Sequence, residues 1–368
     1  MLSLQHVRRF CKSAAVIASN KLPAVTSKRI QSPKPLEGKP LEQPALVKLK
    51  AERDPEKLFQ LFKANAHNRL VIENRFAFED TVSRLAGAQR FDYIEHLLEH
   101  QKTLPQGRRE GFIVRIIMLY AKAGMTKHAI DTFYDMHLYR CKRTVKSFNA
   151  ALKVLTQTRN LEAIQAFLTE VPEKFDLQLD IFSINIVVKA FCEMDIVDKA
   201  YLIMVNAEKW GIKPDVVTYT TLLSALYKSK RCEIGNGLWN LMRLGIRPDE
   251  VTCNLVIKGF GQAGYLEMAK RVYSSMHTKG CKVNEKIYQT MIHYLCKGGE
   301  FNLACTMCKD CMKRNWYPSV DTILALLEGL KKNKQLGKAK MIVALVQKRV
   351  PPFPSKQLSS MQSILSKS

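Results

Sequence analysis

The 368-residue sequence predicts an all-α solenoid of tandem helix-turn-helix units, each about 35 residues long. Three observations carry that expectation. One local phrase recurs as KSFNAALKVL (146–155), FSINIVVKAF (182–191), VTYTTLLSAL (217–226), VTCNLVIKGF (251–260) and KIYQTMIHYL (286–295). The polar residue of each copy falls at Asn149, Asn185, Thr220, Asn254 and Gln289, giving intervals of 36, 35, 34 and 35. A small residue recurs further on, at Ala129, Ala163, Ala200, Gly235, Ala269, Ala304 and Ala339, where two helix backbones of a hairpin must approach closely. Finally, the links GIKPD (211–215) and GIRPD (245–249) join a helix-ending Gly to a Pro that forbids continuation. No strand-length alternation competes with this pattern.

The copy from Glu250 to Asn284 justifies the elements in order. Val251, Leu255, Val256 and Phe260 follow helical spacing and define a first amphipathic helix. Gly261, Ala263 and Gly264 are expected to break it, and a second helix is expected from about Leu266 to His277. Gly280 then supplies an exit able to take positive φ. Extending this register places copies at about 40–74, 75–109, 110–144, 145–180, 181–215, 216–249, 250–284, 285–319 and 320–354. The outer copies diverge, as a stack does where it presents polar caps to water. One array from 40 to 354 therefore replaces two ordinary domains, and residues 355–368 are left as a C-terminal tail.

The phrases DVVTYTTLLSALYK (215–228) and VTCNLVIKGFGQAGYLEMAKRVYSSMHTKG (251–280) resemble the pentatricopeptide repeat (PPR) family, specifically the short P-class plant organellar proteins without a catalytic extension. The resemblance is good over 75–340 and weak over 40–74. The 34-residue TPR, which also forms helix pairs, lacks the aromatic–Asn opening and the closing Pro-Asp. The resemblance implies a right-handed superhelix that binds single-stranded RNA, one base per repeat. In that family the fifth and last residues of a repeat face the base edge, and the second stacks on the base. Carried over by position, the base-reading pairs are Asn149 with Asp180, Asn185 with Asp215, Thr220 with Asp249, and Asn254 with Asn284. The family pattern implies a site 5′-U-U-G-(C/U)-3′. The stacking positions are Lys146, Phe182, Val217, Val251 and Lys286.

The chemistry of those residue types is independently suitable. Short amides and hydroxyls offer donors and acceptors to a base edge, whereas a carboxylate only accepts. Side chains recurring in a helix's first turn also suit capping and helix cross-linking, so that structural use stands beside base reading. Glu79, Val114 and Leu324 occupy the fifth position in other copies and fit no base-reading pair; Glu79 is expected to repel phosphate. Gln289 with Ser319 is likewise unassigned. Four bases, one twofold ambiguous, match random RNA about once in 128 nucleotides, too little to choose one transcript unaided. The copy 216–249 is one residue short, which allows two readings: a rotation of Asp249 off the base, or a lost segment joining two repeats.

Charge points to the same class of partner. Lys and Arg number 58 against 33 Asp and Glu, a formal charge of +25 that suits a polyanion. Lys122, Lys228, Lys297 and Lys332 share a late first-helix position and form a candidate phosphate line. Lysines there also suit the helix dipole. Residues 1–36 carry Arg8, Arg9, Lys12, Lys21, Lys28, Arg29 and Lys34 without an acid, the composition of a transit peptide; the Arg8-Arg9-Phe10 cluster favours the mitochondrion (matrix) over the chloroplast. No run of 18 or more apolar residues is present, so no membrane partner is expected.

Ten cysteines scattered through helical positions read as reduced thiols. Cys305, Cys308 and Cys311 have partial metal-site spacing, but i, i+3 and i+6 drift around a helix and do not converge on one ion. No metal or cofactor is therefore expected. The CxxC spacings follow no His-x-Glu, the acids are dispersed, and no phosphate-cradling Gly loop or nucleophile elbow occurs, which excludes an enzyme among these classes. The expected function is RNA binding in mitochondrial RNA processing, stability, splicing or translation, with no small-molecule substrate. The alternative is a structural or assembly role on the mitoribosome.

Overall fold

The computed structural model describes residues 45–278 and 281–366; every regular element among them is helical. The transit-peptide segment expected at 1–36 lies outside them. Three short helices lead, α1 (Ala45–Ala51), α2 (Pro55–Ala64) and α3 (Arg69–Glu73). Eight hairpins follow: α4 (Arg75–Gly87) with α5 (Phe91–Thr103), α6 (Glu110–Lys122) with α7 (Thr126–Tyr134), and α8 (Val145–Thr156) with α9 (Leu161–Phe175). Next come α10 (Ile181–Glu193) with α11 (Val197–Lys209), α12 (Val216–Lys228) with α13 (Cys232–Gly245), and α14 (Glu250–Gln262) with α15 (Leu266–Thr278). The last pairs are α16 (Glu285–Lys297) with α17 (Phe301–Lys313) and α18 (Val320–Lys332) with α19 (Leu336–Val346), closed by α20 (Ser355–Ser366). First helices contact first helices from α4 through α18, so the fold is a two-layer α-solenoid.

Local chemistry fixes the start of seven of the eight first helices, α6 after Arg109 being the exception. Asn74, Thr144, Asp180, Asp215, Asp249, Asn284 and Ser319 are N-caps whose side chains accept a backbone N–H of the first turn. Each such cap contributes about 1 kcal/mol. Between the helices of a hairpin, one residue turns left-handed: Gln89, Gly124, Arg159, Asp195, Lys230, Gly264, Gly299 and Lys334. It lies fifteen positions after the residue preceding the first helix in all eight hairpins. Every change in repeat length therefore falls later, in or just after the second helix.

That rule settles the short copy. Gly211 and Asn315 end their hairpins in the left-handed region, at φ 77° and 60°, four residues before the next N-cap. Gly245 occupies the same place before Asp249 but remains helical, and Ile246 leaves α13 in extended geometry. The deficit is absorbed there. Asp249 keeps its N-cap position and accepts from Thr252 N at 2.7 Å, so the expected rotation away from its register does not occur.

Three sequence expectations need correction. The close-approach position is the fourth residue of each second helix, held by fully buried Ala129, Ala200, Ala269, Ala304 and Ala339. In α9 that residue is Ile164, also fully buried, and Ala163 sits one position off at a half-buried site. Gly261 does not break α14; it is buried within the helix, where an added methyl would overlap the Tyr294 ring. The turn belongs to Gly264, at φ 83°. Residues 355–366, read from the sequence as tail, form α20, which packs on α18 and α19 through fully buried Met361. Lys331 Nζ donates to Ile364 O at 3.0 Å across that contact.

Candidate nucleic-acid interface

Counting from each N-cap, positions 2, 5, 9 and 13 share one face of the first helix, because three- and four-residue steps return nearly to the same angle. Position 5 holds Asn149, Asn185, Thr220 and Asn254, all half-buried. The last residue of a repeat is the N-cap of the next first helix, so Asp180, Asp215, Asp249 and Asn284 each have a structural task as well.

Two of the four expected pairs are hydrogen-bonded. Asn149 Nδ2 donates to Asp180 Oδ1 at 3.0 Å, and Asn185 Nδ2 donates to Asp215 Oδ1 at 3.2 Å. A third residue completes each latch. Ser183 Oγ donates to Asn149 Oδ1 at 2.7 Å, and Thr218 Oγ1 donates to Asn185 Oδ1 at 2.6 Å. These hydroxyls also accept the N-cap backbone N–H, from Asp180 at 3.3 Å and Asp215 at 3.2 Å. Among the described residues, the latch leaves one amide N–H and the second carboxylate oxygen of each pair without a partner. The cross-linking use weighed from the sequence is thus present alongside a free polar edge.

The other two pairs are not bonded to each other. Thr220 Oγ1 donates to Val216 O at 2.7 Å and lies 2.6 Å from Thr252 Oγ1, while Thr252 Oγ1 is 2.6 Å from Asp249 Oδ1. Asn284 Oδ1 accepts Ile287 N at 3.2 Å, and Asn254 Oδ1 is buried with no partner. The reason lies at position 3 of α16. Ile287 stands where Ser183, Thr218 and Thr252 carry hydroxyls, so nothing donates to that oxygen. Sequence reasoning missed this position; the recurring Asp-x-x-Ser/Thr phrase was the available signal.

Position 2 is open to solvent throughout. Phe182, Val217 and Val251 expose 68%, 56% and 66% of their surface, and Lys146 and Lys286 are also exposed. Exposure of large apolar groups at one repeated register, while their neighbours are buried, is unusual for a merely structural helix. Phe76, at position 2 of α4, extends the line with 80% exposure; sequence reasoning overlooked it.

The basic line is longer than the sequence suggested. Lys122, Lys228, Lys297 and Lys332 are the exposed last residues of α6, α12, α16 and α18, at position 13. Gln157, Glu193 and Gln262 interrupt that line. In those same three repeats an exposed lysine stands one turn earlier, at position 9: Lys153, Lys189 and Lys258. From α6 to α18 each first helix thus offers a lysine at position 9 or 13 of this face. At the N-terminal end, Glu79 is engaged by Arg75 at 2.7 Å and Lys122 at 3.7 Å, and the Arg75 hydrogen bond lowers its pKa. Its charge is compensated, so the expected repulsion of phosphate is offset. A cavity of about 580 Å3 beside it is lined by Arg75, Val114, Arg115 and Met118.

The cysteine run has a different use. Cys305, Cys308 and Cys311 are buried in α17, and burial raises their thiol pKa values, that of Cys311 to about 12. Such thiols pack as small apolar groups.

Fold and face together define a helical-repeat protein with a regularly spaced polar, apolar and basic surface. The PPR repeat family model matches residues 179–228 and 248–292, and a second PPR repeat model matches 115–141 and 217–244. The chain carries pentatricopeptide repeats over those residues. It is 66% identical over 245 residues to a mitochondrial pentatricopeptide repeat-containing protein of Arabidopsis thaliana, covering 66% of this chain and 60% of that one. It is 28% identical to the small ribosomal subunit protein mL103 of Arabidopsis thaliana, covering 95% of this chain and 91% of that one. The fold is similar to the crystal structure of maize PPR10, with a TM-score of 0.50, 22% identity, and coverage of 86% and 46% of the two chains. The first of these relatives is named as mitochondrial, in keeping with the expectation drawn from the basic leader.

Proposed function

We propose that the protein binds single-stranded mitochondrial RNA along the first-helix layer, without catalysis, and acts in processing, stability, splicing or translation. The observation that supports this most is the coincidence, in one register, of exposed apolar groups at position 2, free polar edges at position 5 and one lysine per helix. A base stacks over Phe182, Val217 or Val251, its edge meets the position-5 pair, and its phosphate meets the lysine. For Asn149/Asp180 and Asn185/Asp215, the free amide N–H suits uracil O4, where cytosine presents an amino donor instead, and the free carboxylate oxygen suits uracil N3–H. Thr220/Asp249 and Asn254/Asn284 follow as G and C or U, giving 5′-UUG(C/U)-3′. Replacing Asn185 by Thr creates a Thr/Asp pair, and the preferred second base is expected to change from U to G. Unchanged base ranking would refute modular reading.

A second reading rests on the nearly full-length likeness to a small-ribosomal-subunit protein. In it the same face contacts ribosomal RNA by shape. Co-sedimentation with the small subunit through a high-salt wash, together with indifference to the four bases, would favour it.

A further inference from the structure

We infer that the hydroxyl at position 3 of the following helix sets which atom of the position-5 amide faces the RNA, making Ser183 and Thr218 positioning residues for base choice and Ile287 the cause of ambiguity at the fourth base. The inference rests on the base-reading role proposed above. An Asn side chain is nearly symmetric in shape and opposite in hydrogen-bonding sense at its two ends, so its reading depends on what fixes it. In the first two latches it is fixed twice. Asn149 Oδ1 and Asn185 Oδ1 take the hydroxyl protons of Ser183 and Thr218, and each Nδ2 spends one proton on the N-cap carboxylate. Turning the amide over would set its oxygen against the N-cap carboxylate and lose that bond, and it would force the hydroxyl to give up the amide oxygen for the carboxylate oxygen 3.0 Å away. Only a donor can face outward, beside the acid's free acceptor.

The fourth pair lacks both restraints. Ile287, fully buried, has no proton to give, and Asn254 Oδ1 is left buried without a partner. Asn284 uses its own Oδ1 on Ile287 N, so what it offers the RNA is N–H. With Asn254 as it stands, two donors face the base and suit the N3 and O2 acceptors of cytosine. An unpartnered buried carbonyl oxygen is unfavourable, and turning the amide brings that oxygen out to accept N3–H of uracil. Both pyrimidines are accommodated because nothing holds the amide.

The test compares affinities of the full chain for RNA pairs differing by one pyrimidine, UUGC against UCGC for the second base and UUGC against UUGU for the fourth. Thr218→Val removes the hydroxyl at nearly constant shape, and the U-over-C ratio at the second base is expected to fall about tenfold, equivalent to about 1.4 kcal/mol; Thr218→Ser restores it. Ile287→Thr is expected to move the fourth base about tenfold toward C. Each ratio is taken within one variant, so a general loss of stability cancels, and circular dichroism checks folding. If Asn185→Thr alters base preference but Thr218→Val and Ile287→Thr leave both ratios unchanged, the latch has no part in selectivity. If Asn185→Thr also changes nothing, base reading itself fails and the inference falls with it.

Discussion

The lysine line makes a quantitative demand on salt dependence. From α6 to α18 it comprises Lys122, Lys153, Lys189, Lys228, Lys258, Lys297 and Lys332, seven cations one helix apart. Single-stranded binding loses affinity with a log–log slope of about −0.7 per neutralised phosphate, so full engagement gives about −5. Raising salt from about 50 to 200 mM then weakens binding about a thousandfold. Replacing Lys153, Lys189 and Lys258 together by Gln should flatten the slope to about −3, and the same salt change then costs about sixtyfold. Fluorescence anisotropy with a labelled single strand containing UUGC measures both. Replacing Lys199, Lys209 and Lys340, exposed on second helices, should leave the slope unchanged. An unaltered slope in the first-helix triple, or an equal loss in the control, refutes the assignment of one phosphate per first helix.

Further expectations concern single residues. Phe182→Ala should weaken RNA binding by about 1–3 kcal/mol while leaving the melting temperature nearly unchanged, because the ring is 68% exposed. Lys230→Gly should stabilise the fold by about 0.5–1 kcal/mol, since Lys230 holds φ 62° and Gly takes that geometry without steric cost, partly offset by a freer unfolded chain; thermal melting decides, and a lower midpoint contradicts it. Gly261→Ala should destabilise by about 1–3 kcal/mol through overlap with Tyr294, measured by denaturant titration.

The repeat period and the common register of the first helices were legible because nearly every first helix must satisfy two local demands at once, a cap at its start and an apolar stripe beneath. Those demands recur at Asp180, Asp215, Asp249 and Asn284, and they leave strong sequence traces. The hairpin turns were less visible. Five of the eight left-handed residues, among them Arg159 and Lys334, are not Gly, because neighbouring helices over-determine the turn. Ala163 misled for a different reason: the fourth residue of α9 is the large Ile164, so a search for a small residue settles on its neighbour. The lysines at position 9 were missed because a charge one turn away on the same face looks unrelated in linear sequence. Ile287 escaped notice because its consequence appears on another helix, at Asn254.

The orientation of the strand on the first-helix layer can be observed directly by crosslinking. A single strand carrying UUGC with photoreactive uridines at its first two positions would be bound, irradiated and digested, and the attached residues identified by mass spectrometry. Adducts are predicted in the first turns of α8, α10 and α12, centred on Lys146, Phe182 and Val217, in that order from the 5′ end. Adducts concentrated on α11, α13 or α15 would place the strand on the opposite layer and contradict the account.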